Sequence, residues 1–205
     1  MKRYVPFFFI LIMLLSSTAV FAQNQQKNTG KLTGKQIVMI IAQKNFEKPE
    51  YEYPREIFER EGADIIVASS SLSHATSSIY LASTQLKVKP DILINDIQAK
   101  NFDAVVFVGG LGCMEYFDSP IAHKVAKQAL EQGKIVAAIC GAPVILANAG
   151  LLNGKKATTS RSHNIKEKGA IYTGNHIERD GNIITANGPS ASTEFGEAIA
   201  SALSE

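Results

Sequence analysis

The chain has 205 residues, of which 45% are apolar and 20% are charged, and it contains 15 Gly, 7 Pro and 2 Cys. This composition is typical of a globular protein and argues against a disordered, collagen-like or disulfide-stapled chain. Because 21 basic side chains oppose 19 acidic ones and no basic cluster is visible, the sequence does not indicate a nucleic-acid partner.

The first 22 residues have the order of a secretory signal peptide. Lys2 and Arg3 are followed by an apolar run over residues 5–15 and by a small-residue stretch that ends at Ala22. An uncleaved membrane anchor is the alternative, but this run is shorter than the ~20 apolar residues that span a bilayer. Since cleavage removes both excess positive charges, we expect a near-neutral mature protein that is secreted or periplasmic and free of the membrane.

A polar segment separates this signal from the folded part of the chain. Residues 23–35 contain Gly and polar residues without hydrophobic periodicity, and they are predicted to be a tether. Residues 36–205 remain, and about 170 residues is the size of one domain with a substantial core.

From residue 36 onward, apolar runs of strand length alternate with segments of helical periodicity. The first part of the chain predicts a strand at 36–42, a helix at 50–62, a strand at 63–70, and short strands or a hairpin within 71–100. The second part predicts a strand at 103–110, a helix at 119–133, a strand at 134–140, a helix at 141–152, a hairpin at 176–186 around Asp180-Gly181, and a final helix at 192–203.

Continuous apolar strands separated by helices predict an α/β fold. The expected architecture is a flavodoxin-like, doubly wound and mostly parallel sheet with helices on both faces. In such sheets ligands bind beyond the carboxyl ends of the strands. The residues that follow each strand are therefore the candidates for function.

Cys140 is the strongest single candidate for chemistry. It stands between a predicted buried strand and a predicted helix with no room for a loop, and a side chain at such a turn is exposed at the sheet edge. The unpaired N–H groups and the dipole of the helix stabilise a thiolate there. The alternative is an ordinary buried cysteine that behaves as a small apolar residue.

Glycines at the ends of two strands offer backbone donors. Gly109-Gly110 ends one predicted strand, and an N–H group near Gly110 together with that of Gly141 would form an oxyanion hole if the strands are neighbours. A Gly-Gly pair after a strand is otherwise only a tight turn.

An acidic cluster, Glu47, Glu50 and Glu52, follows the first strand. A carboxyl group close to a thiolate has a raised pKa, because two anions repel in a site of low dielectric constant. Such a protonated acid can bond the sulfur and deliver a proton to substrate. The remaining glutamates would only favour the N-terminus of a helix.

Four segments together resemble the DJ-1/PfpI superfamily, whose fold is related to that of class I glutamine amidotransferases. They are FEKPEYEYP, the strand that ends in VGG, AAICGAP, and DGNIITANGPSAS before the last helix, and the resemblance covers residues 36–203. It implies that Cys140 is the nucleophile, that Glu50 is the acid in contact with it, and that Gly110 and Gly141 donate to the oxyanion. Glu47 corresponds to a second acidic position with a less uniform role.

Two of the departures from this family pattern concern histidines. Protease-like members carry His directly after the nucleophile, where this chain has Gly141, which puts peptidase activity in doubt. DJ-1-like members can place a His after the Thr-Thr pair, where this chain has Ser160. His163 follows three residues later and either substitutes for that His or is a surface residue.

Cys113 follows Gly110 and is expected at the same edge of the sheet as Cys140. A resolving thiol or a reversible disulfide is one interpretation, and a loop cysteine too far away to pair is the other. No Cys and His residues have the spacing of a zinc site, so no metal is expected.

The leading functional hypothesis is a cysteine-dependent enzyme that acts on small reactive carbonyls. The resemblance implies glyoxalase-III-like or deglycase-like activity on methylglyoxal or on a modified protein, without a cofactor, in a homodimer. The alternative is a redox sensor or stress-protective holdase in which Cys140 is oxidised without turnover. A cysteine peptidase is the third and weakest hypothesis.

Overall fold

A computed structural model describes residues 30–80 and 83–205 of the chain. The signal peptide predicted for residues 1–22 and the first residues of the tether lie outside the described residues, so export stays a prediction. Within the described ranges, no helix combines the length and the apolar character needed to cross a membrane.

Short strands and five helices alternate along the described residues. The strands are β1 (Gln36–Ile40), β2 (Lys44–Phe46), β3 (Asp64–Ser69), β4 (Ala75–Ser77), β5 (Lys87–Val88), β6 (Ile92–Leu93), β7 (Ala104–Phe107), β8 (Ile135–Ile139), β9 (Lys156–Ala157), β10 (Ile171–Tyr172), β11 (Ile177–Asp180) and β12 (Ile183–Ala186). The helices are α1 (Lys48–Arg60), α2 (Pro120–Glu131), α3 (Pro143–Asn148), α4 (Ser162–Lys166) and α5 (Ser192–Leu203).

A seven-stranded sheet with the order β11-β12-β8-β7-β1-β3-β6 forms the centre of the fold. Every neighbouring pair in it is parallel except β11 and β12, which form an antiparallel hairpin. The strands β1, β7, β8 and β12 are almost completely buried, which is why their sequences are continuous apolar runs. The predicted α/β architecture is confirmed.

Helices cover both faces of this sheet. The chain moves from β1 to β3 in one direction and from β7 to β8 in the other, so right-handed crossovers place α1 and α2 on opposite faces. Helix α5 packs against α1, and α3 packs against α2. The reversal of direction between β1 and β7 is the point at which ligands bind in sheets of this type.

The folded domain begins before Gln36, inside the segment predicted to be a tether. Leu32 is completely buried, and its N–H donates to the carbonyl of Glu61 at 2.8 Å. The single apolar side chain in this polar stretch therefore closes the end of the core next to α1.

In two other segments the structure shows strands and a turn that the sequence-based prediction left undefined or placed differently. In residues 71–100, β4 and β5 pair in a small sheet with β2, while β6 joins the edge of the main sheet. In the predicted hairpin Asp180 pairs with Ile183, so the turn residues are Gly181 and Asn182, one position later than the Asp-Gly signal indicated.

Candidate active site

The ends of three neighbouring strands bring the predicted site residues together. Gly109 follows β7, Cys140 directly follows β8, and Glu50 lies in the first turn of α1, which β1 reaches through β2. The N–H of Glu47 donates to the carbonyl of Gly109 at 3.2 Å and holds the start of α1 against the end of β7. The residues Cys140, Glu50, Glu47 and Gly110 thus share one edge of the sheet.

Cys140 occupies a sharp turn between β8 and α3. Its φ of 64° lies in the left-handed region, which is unusual for a residue other than glycine and marks a constrained position. Its N–H donates to the carbonyl of Ala186 at 2.9 Å, and its carbonyl accepts bonds from the Ser160 N–H at 3.0 Å and the Thr159 hydroxyl at 2.5 Å. These bonds hold the turn that presents the half-buried thiol to the pocket.

Glu50 lies beside this thiol because residue 109 has no side chain. A Cβ at residue 109 would overlap Glu50 Oε2 and would lie 2.8 Å from Cys140 Cβ. Gly110 is equally confined, since a Cβ there would lie 2.5 Å from the carbonyl oxygen of Asn45 and 2.5 Å from the nitrogen of Glu47. The two glycines let the acid, the thiol and the backbone donors approach one another.

Burial controls the protonation of the Glu50 carboxyl. The residue is completely buried, and desolvation, reinforced by the charge of Glu47, raises its pKa from 4.5 to about 8. The groups that face it are the Cys140 thiol and the N–H of Gly109, which only partly oppose this shift. Glu50 is therefore protonated at neutral pH and can donate a hydrogen bond to sulfur.

The Cys140 thiol and Glu50 form an interacting pair. Desolvation and the negative charge of Glu50 raise the pKa of Cys140 to about 11, while bonds from the Ser160 hydroxyl and the Gly110 N–H lower it. The Ser160 Oγ lies 3.4 Å from the sulfur. The protons of such a pair belong to both groups, so the carboxyl and the thiol titrate as a unit.

Glu47 is the second acid of the site. Its side chain is almost fully buried, and Oε2 accepts a hydrogen bond from the Ser78 hydroxyl at 2.9 Å. Its other oxygen is buried without a hydrogen-bond partner among the described residues. This orphaned oxygen is available to a ligand or to water.

A pocket of about 290 Å³ opens over the thiol. This volume lies at the small end of ligand sites and suits a compound of a few carbon atoms. Its walls come from the segments that follow the strands. The lining residues are Glu47, Tyr80, Gly110, Leu111, Cys140, Gly141, Ser160, Arg161 and Pro189.

His163 does not reach this pocket. Its side chain is 82% exposed, and its Nε2 lies 3.1 Å from Glu167 Oε1 along the short helix α4. Among the described residues, no histidine belongs to the pocket lining. Across residues 30–80 and 83–205, no group of three or more His, Cys, Asp and Glu side chains is arranged to hold a metal ion.

Ser160 and Arg161 are among the pocket residues that lay outside the sequence-based candidates. Ser160 bonds the sulfur, and Arg161 places its Nε 3.3 Å from the position that a Cβ on Gly141 would occupy. Both follow β9 in a loop that returns over the sheet edge. A basic residue directly after the Thr-Thr-Ser segment was the available signal, but nothing in the sequence shows where that loop lies.

Cys113 is completely buried beneath the turn that carries the nucleophile. Its sulfur lies 3.1 Å from the position of a Cβ on Gly141, and both cysteines are free thiols. Desolvation, followed by the charges of Cys140 and Glu50, raises the pKa of Cys113 to about 12. A thiol that is both protonated and covered is a poor nucleophile.

We predict that iodoacetamide at pH 8 alkylates Cys140 in the folded protein and leaves Cys113 unmodified, because only Cys140 is exposed to the pocket. Peptide mass mapping before and after unfolding in guanidinium measures the two sites. A Cys113→Ala variant should take up one label in the native state. Equal labelling of both cysteines in the folded protein would contradict the burial of Cys113.

Comparisons with known proteins agree with this fold. The DJ-1/PfpI family model matches residues 35–202. An uncharacterized protein of Methanocaldococcus jannaschii is 31% identical over 99% of this chain and 98% of its own length. A protein of Thermococcus kodakarensis named as a deglycase is 30% identical over 74% of this chain and 90% of its own length.

A solved structure extends the agreement to three dimensions. The crystal structure of a ThiJ/PfpI domain protein from Brachyspira murdochii has a TM-score of 0.78 and 33% identity, covering 83% of this chain and 98% of that one. The family model and the Methanocaldococcus jannaschii relative both cover the residues that form the sheet, the cysteine turn and the acidic helix. This chain belongs to the DJ-1/PfpI family.

Proposed function

We propose that this protein is a cofactor-independent enzyme that uses Cys140 to transform small reactive carbonyls, with glyoxalase-type or deglycase-type chemistry. The observation that carries the proposal is the buried Glu50 carboxyl, protonated at neutral pH, beside a thiol on a constrained strand-to-helix turn. The relative named as a deglycase supports the same class of substrate.

The site residues provide a complete route from methylglyoxal to lactate. When the Glu50–Cys140 pair holds one proton, the sulfur forms a C–S bond with the aldehyde carbon, and the carbonyl oxygen, bonded by the Gly110 N–H, takes up that proton and leaves Glu50 as a carboxylate. Glu50 then removes the hydrogen of that carbon as a proton and returns it to the neighbouring carbonyl carbon. The hydroxyl proton on the first carbon moves to the oxygen of the second, which leaves a thioester. Water hydrolyses the thioester, so the net change is the addition of one water molecule.

The test is lactate formation from methylglyoxal by the purified protein. Cys140→Ala should lower the rate by about 10³-fold or more, because it removes the atom that bonds to substrate. Cys113→Ala is the matched control and should retain turnover, since that thiol is buried outside the pocket lining. Unchanged lactate formation by Cys140→Ala would exclude this mechanism.

A cysteine redox sensor is the second candidate, favoured by the half-buried Cys140 thiol at the base of an open pocket. Intact-mass measurement after mild peroxide distinguishes the two. Addition of two oxygen atoms to Cys140 in a protein that turns over no carbonyl compound supports the sensor. The pocket lining contains no histidine, which leaves the peptidase hypothesis without a Cys-His pair.

A further inference from the structure

Arg161 places a positive charge at the wall of the active-site pocket. Its Nε lies 3.3 Å from the position of a Cβ on Gly141, the residue directly after the nucleophile, and the side chain belongs to the pocket lining. None of the ion pairs among the described residues includes Arg161. Arg161 therefore lines the pocket without an ion pair to any carboxylate of the described residues.

Uncharged groups hold the guanidinium in place. Its central carbon lies 5.7 Å from the centroid of the Phe117 ring, and Nη2 lies 3.6 Å from the sulfur of Met114. The N–H of Arg161 donates to the Thr159 hydroxyl at 3.2 Å, which fixes the backbone of the loop. Contacts with a ring and a thioether orient the side chain and leave most of its N–H groups free.

The two acids of the site do not cancel this charge. Glu47 accepts a hydrogen bond from the Ser78 hydroxyl at 2.9 Å, and it forms no ion pair with Arg161. Glu50 is protonated at neutral pH because burial raises its pKa to about 8. The pocket thus has a basic wall immediately beside the nucleophilic sulfur.

We propose that the substrate is a small 2-oxoaldehyde that carries a carboxylate, with the carboxylate bound by Arg161 while Cys140 attacks the aldehyde carbon. The guanidinium fork matches a carboxylate in geometry and charge. Arg161 lies against the residue directly after Cys140 and lines the same pocket, so a short carbon chain can carry a carboxylate to Arg161 while its aldehyde carbon lies at the sulfur. This inference rests on the proposed carbonyl chemistry and names its substrate class.

The reaction for such a substrate needs no added oxidant or reductant. In 4,5-dioxopentanoate the aldehyde carbon is oxidised to a carboxylate, the neighbouring ketone is reduced to an alcohol, and one water molecule is added. The product is 2-hydroxyglutarate, with release of one proton. The steps at sulfur are those given above for methylglyoxal.

The first test compares kcat/KM for 4,5-dioxopentanoate and methylglyoxal. The wild-type protein should favour the anionic compound, and Arg161→Met should reduce that preference by about 10- to 100-fold, the effect of losing a hydrogen-bonded charge. Arg161→Lys should retain part of the preference. Lys127→Met, which removes an exposed charge on α2 outside the pocket lining, is the matched control and should retain it in full.

The second test does not depend on turnover. Alkylation of Cys140 by anionic iodoacetate and by neutral iodoacetamide displaces iodide in both cases, so their rate ratio reports the affinity of the site for a carboxylate. Arg161→Met should lower the iodoacetate-to-iodoacetamide ratio by about tenfold, and the iodoacetamide rate shows whether the site is intact.

The two inferences fail in different ways. Turnover of methylglyoxal with an unchanged substrate preference and alkylation ratio in Arg161→Met overturns the carboxylate site and leaves the proposed function standing. Absence of all Cys140-dependent turnover overturns the proposed function. An alkylation ratio that still falls in Arg161→Met supports the carboxylate site even then.

Discussion

Replacing Glu50 by Gln should remove a loss of stability that the wild-type protein undergoes between pH 4.5 and pH 8. The unfolded carboxyl releases its proton near pH 4.5, whereas burial holds the proton in the folded protein up to about pH 8. The folded state therefore binds one more proton in this interval, and the free energy of unfolding falls as the pH rises. The expected loss is roughly 4 kcal/mol.

The Glu50→Gln protein lacks this proton, so its free energy of unfolding should change little over the same interval. Urea denaturation at a series of pH values measures both proteins. Glu52→Gln is the matched control, because Glu52 lies on the same helix in a half-exposed ion pair with Lys48 at 3.8 Å and should keep the wild-type pH dependence. A parallel loss of stability in Glu50→Gln would show that another group is responsible.

Glu50→Gln should also reduce turnover of methylglyoxal by about 10²- to 10⁴-fold, which is the usual contribution of a general acid or base. In the wild-type protein the Glu50–Cys140 pair loses its first proton near pH 8 and its second near pH 11. Near pH 8 the proton leaves Glu50 and the thiol keeps its own, so the alkylation rate of Cys140 should rise mainly as the pH approaches 11. Glu50→Gln removes the negative charge that raises the pKa of the thiol, so this rise in the alkylation rate should move to lower pH.

The central strands could be predicted from the sequence because buried parallel strands are continuous apolar runs. The ends of the strands could not, since apolar residues stay buried after the backbone leaves the sheet. Ile41 and Ala42 follow β1 and Val108 follows β7, and all three are buried outside any strand. Hydrophobicity reports burial, whereas a strand end depends on where backbone pairing stops.

Strand ends in a doubly wound sheet predicted that Cys140 and the acidic cluster share one edge, and the family resemblance singled out Glu50 within that cluster. Arg161 was not predictable, because its place depends on the path of a loop. His163, in contrast, was a candidate from the sequence but lies outside the site. On α4 the buried residue is Ile165, and a residue two positions away on a helix points to a different side, so His163 faces solvent.

Gly109→Ala should lower the free energy of unfolding by about 3 kcal/mol, at the upper end of the usual cost of overpacking. The added methyl group would overlap Glu50 Oε2 and would lie 2.6 Å from the carbonyl oxygen of Ile139 and 2.8 Å from Cys140 Cβ. The carbonyl belongs to a central strand and cannot move far. The midpoint of urea denaturation, with its slope unchanged, measures the effect.

Gly188→Ala is the matched control for this substitution, because no atom lies within 4 Å of the Cβ it adds. Because replacing Gly by Ala makes the unfolded chain less flexible, which favours the folded state, a fall in stability of the same size in both variants would show that crowding at residue 109 is not the cause.

Gly109→Ala should affect turnover in addition to stability. The carboxyl of Glu50 is the group that can withdraw most readily, since the carbonyl of Ile139 and the turn at Cys140 are fixed by backbone bonds. Gly109→Ala should therefore slow Cys140-dependent turnover more than the remaining folded fraction explains. A variant with low stability but full turnover per folded molecule would show that the acid does not need its position beside the sulfur.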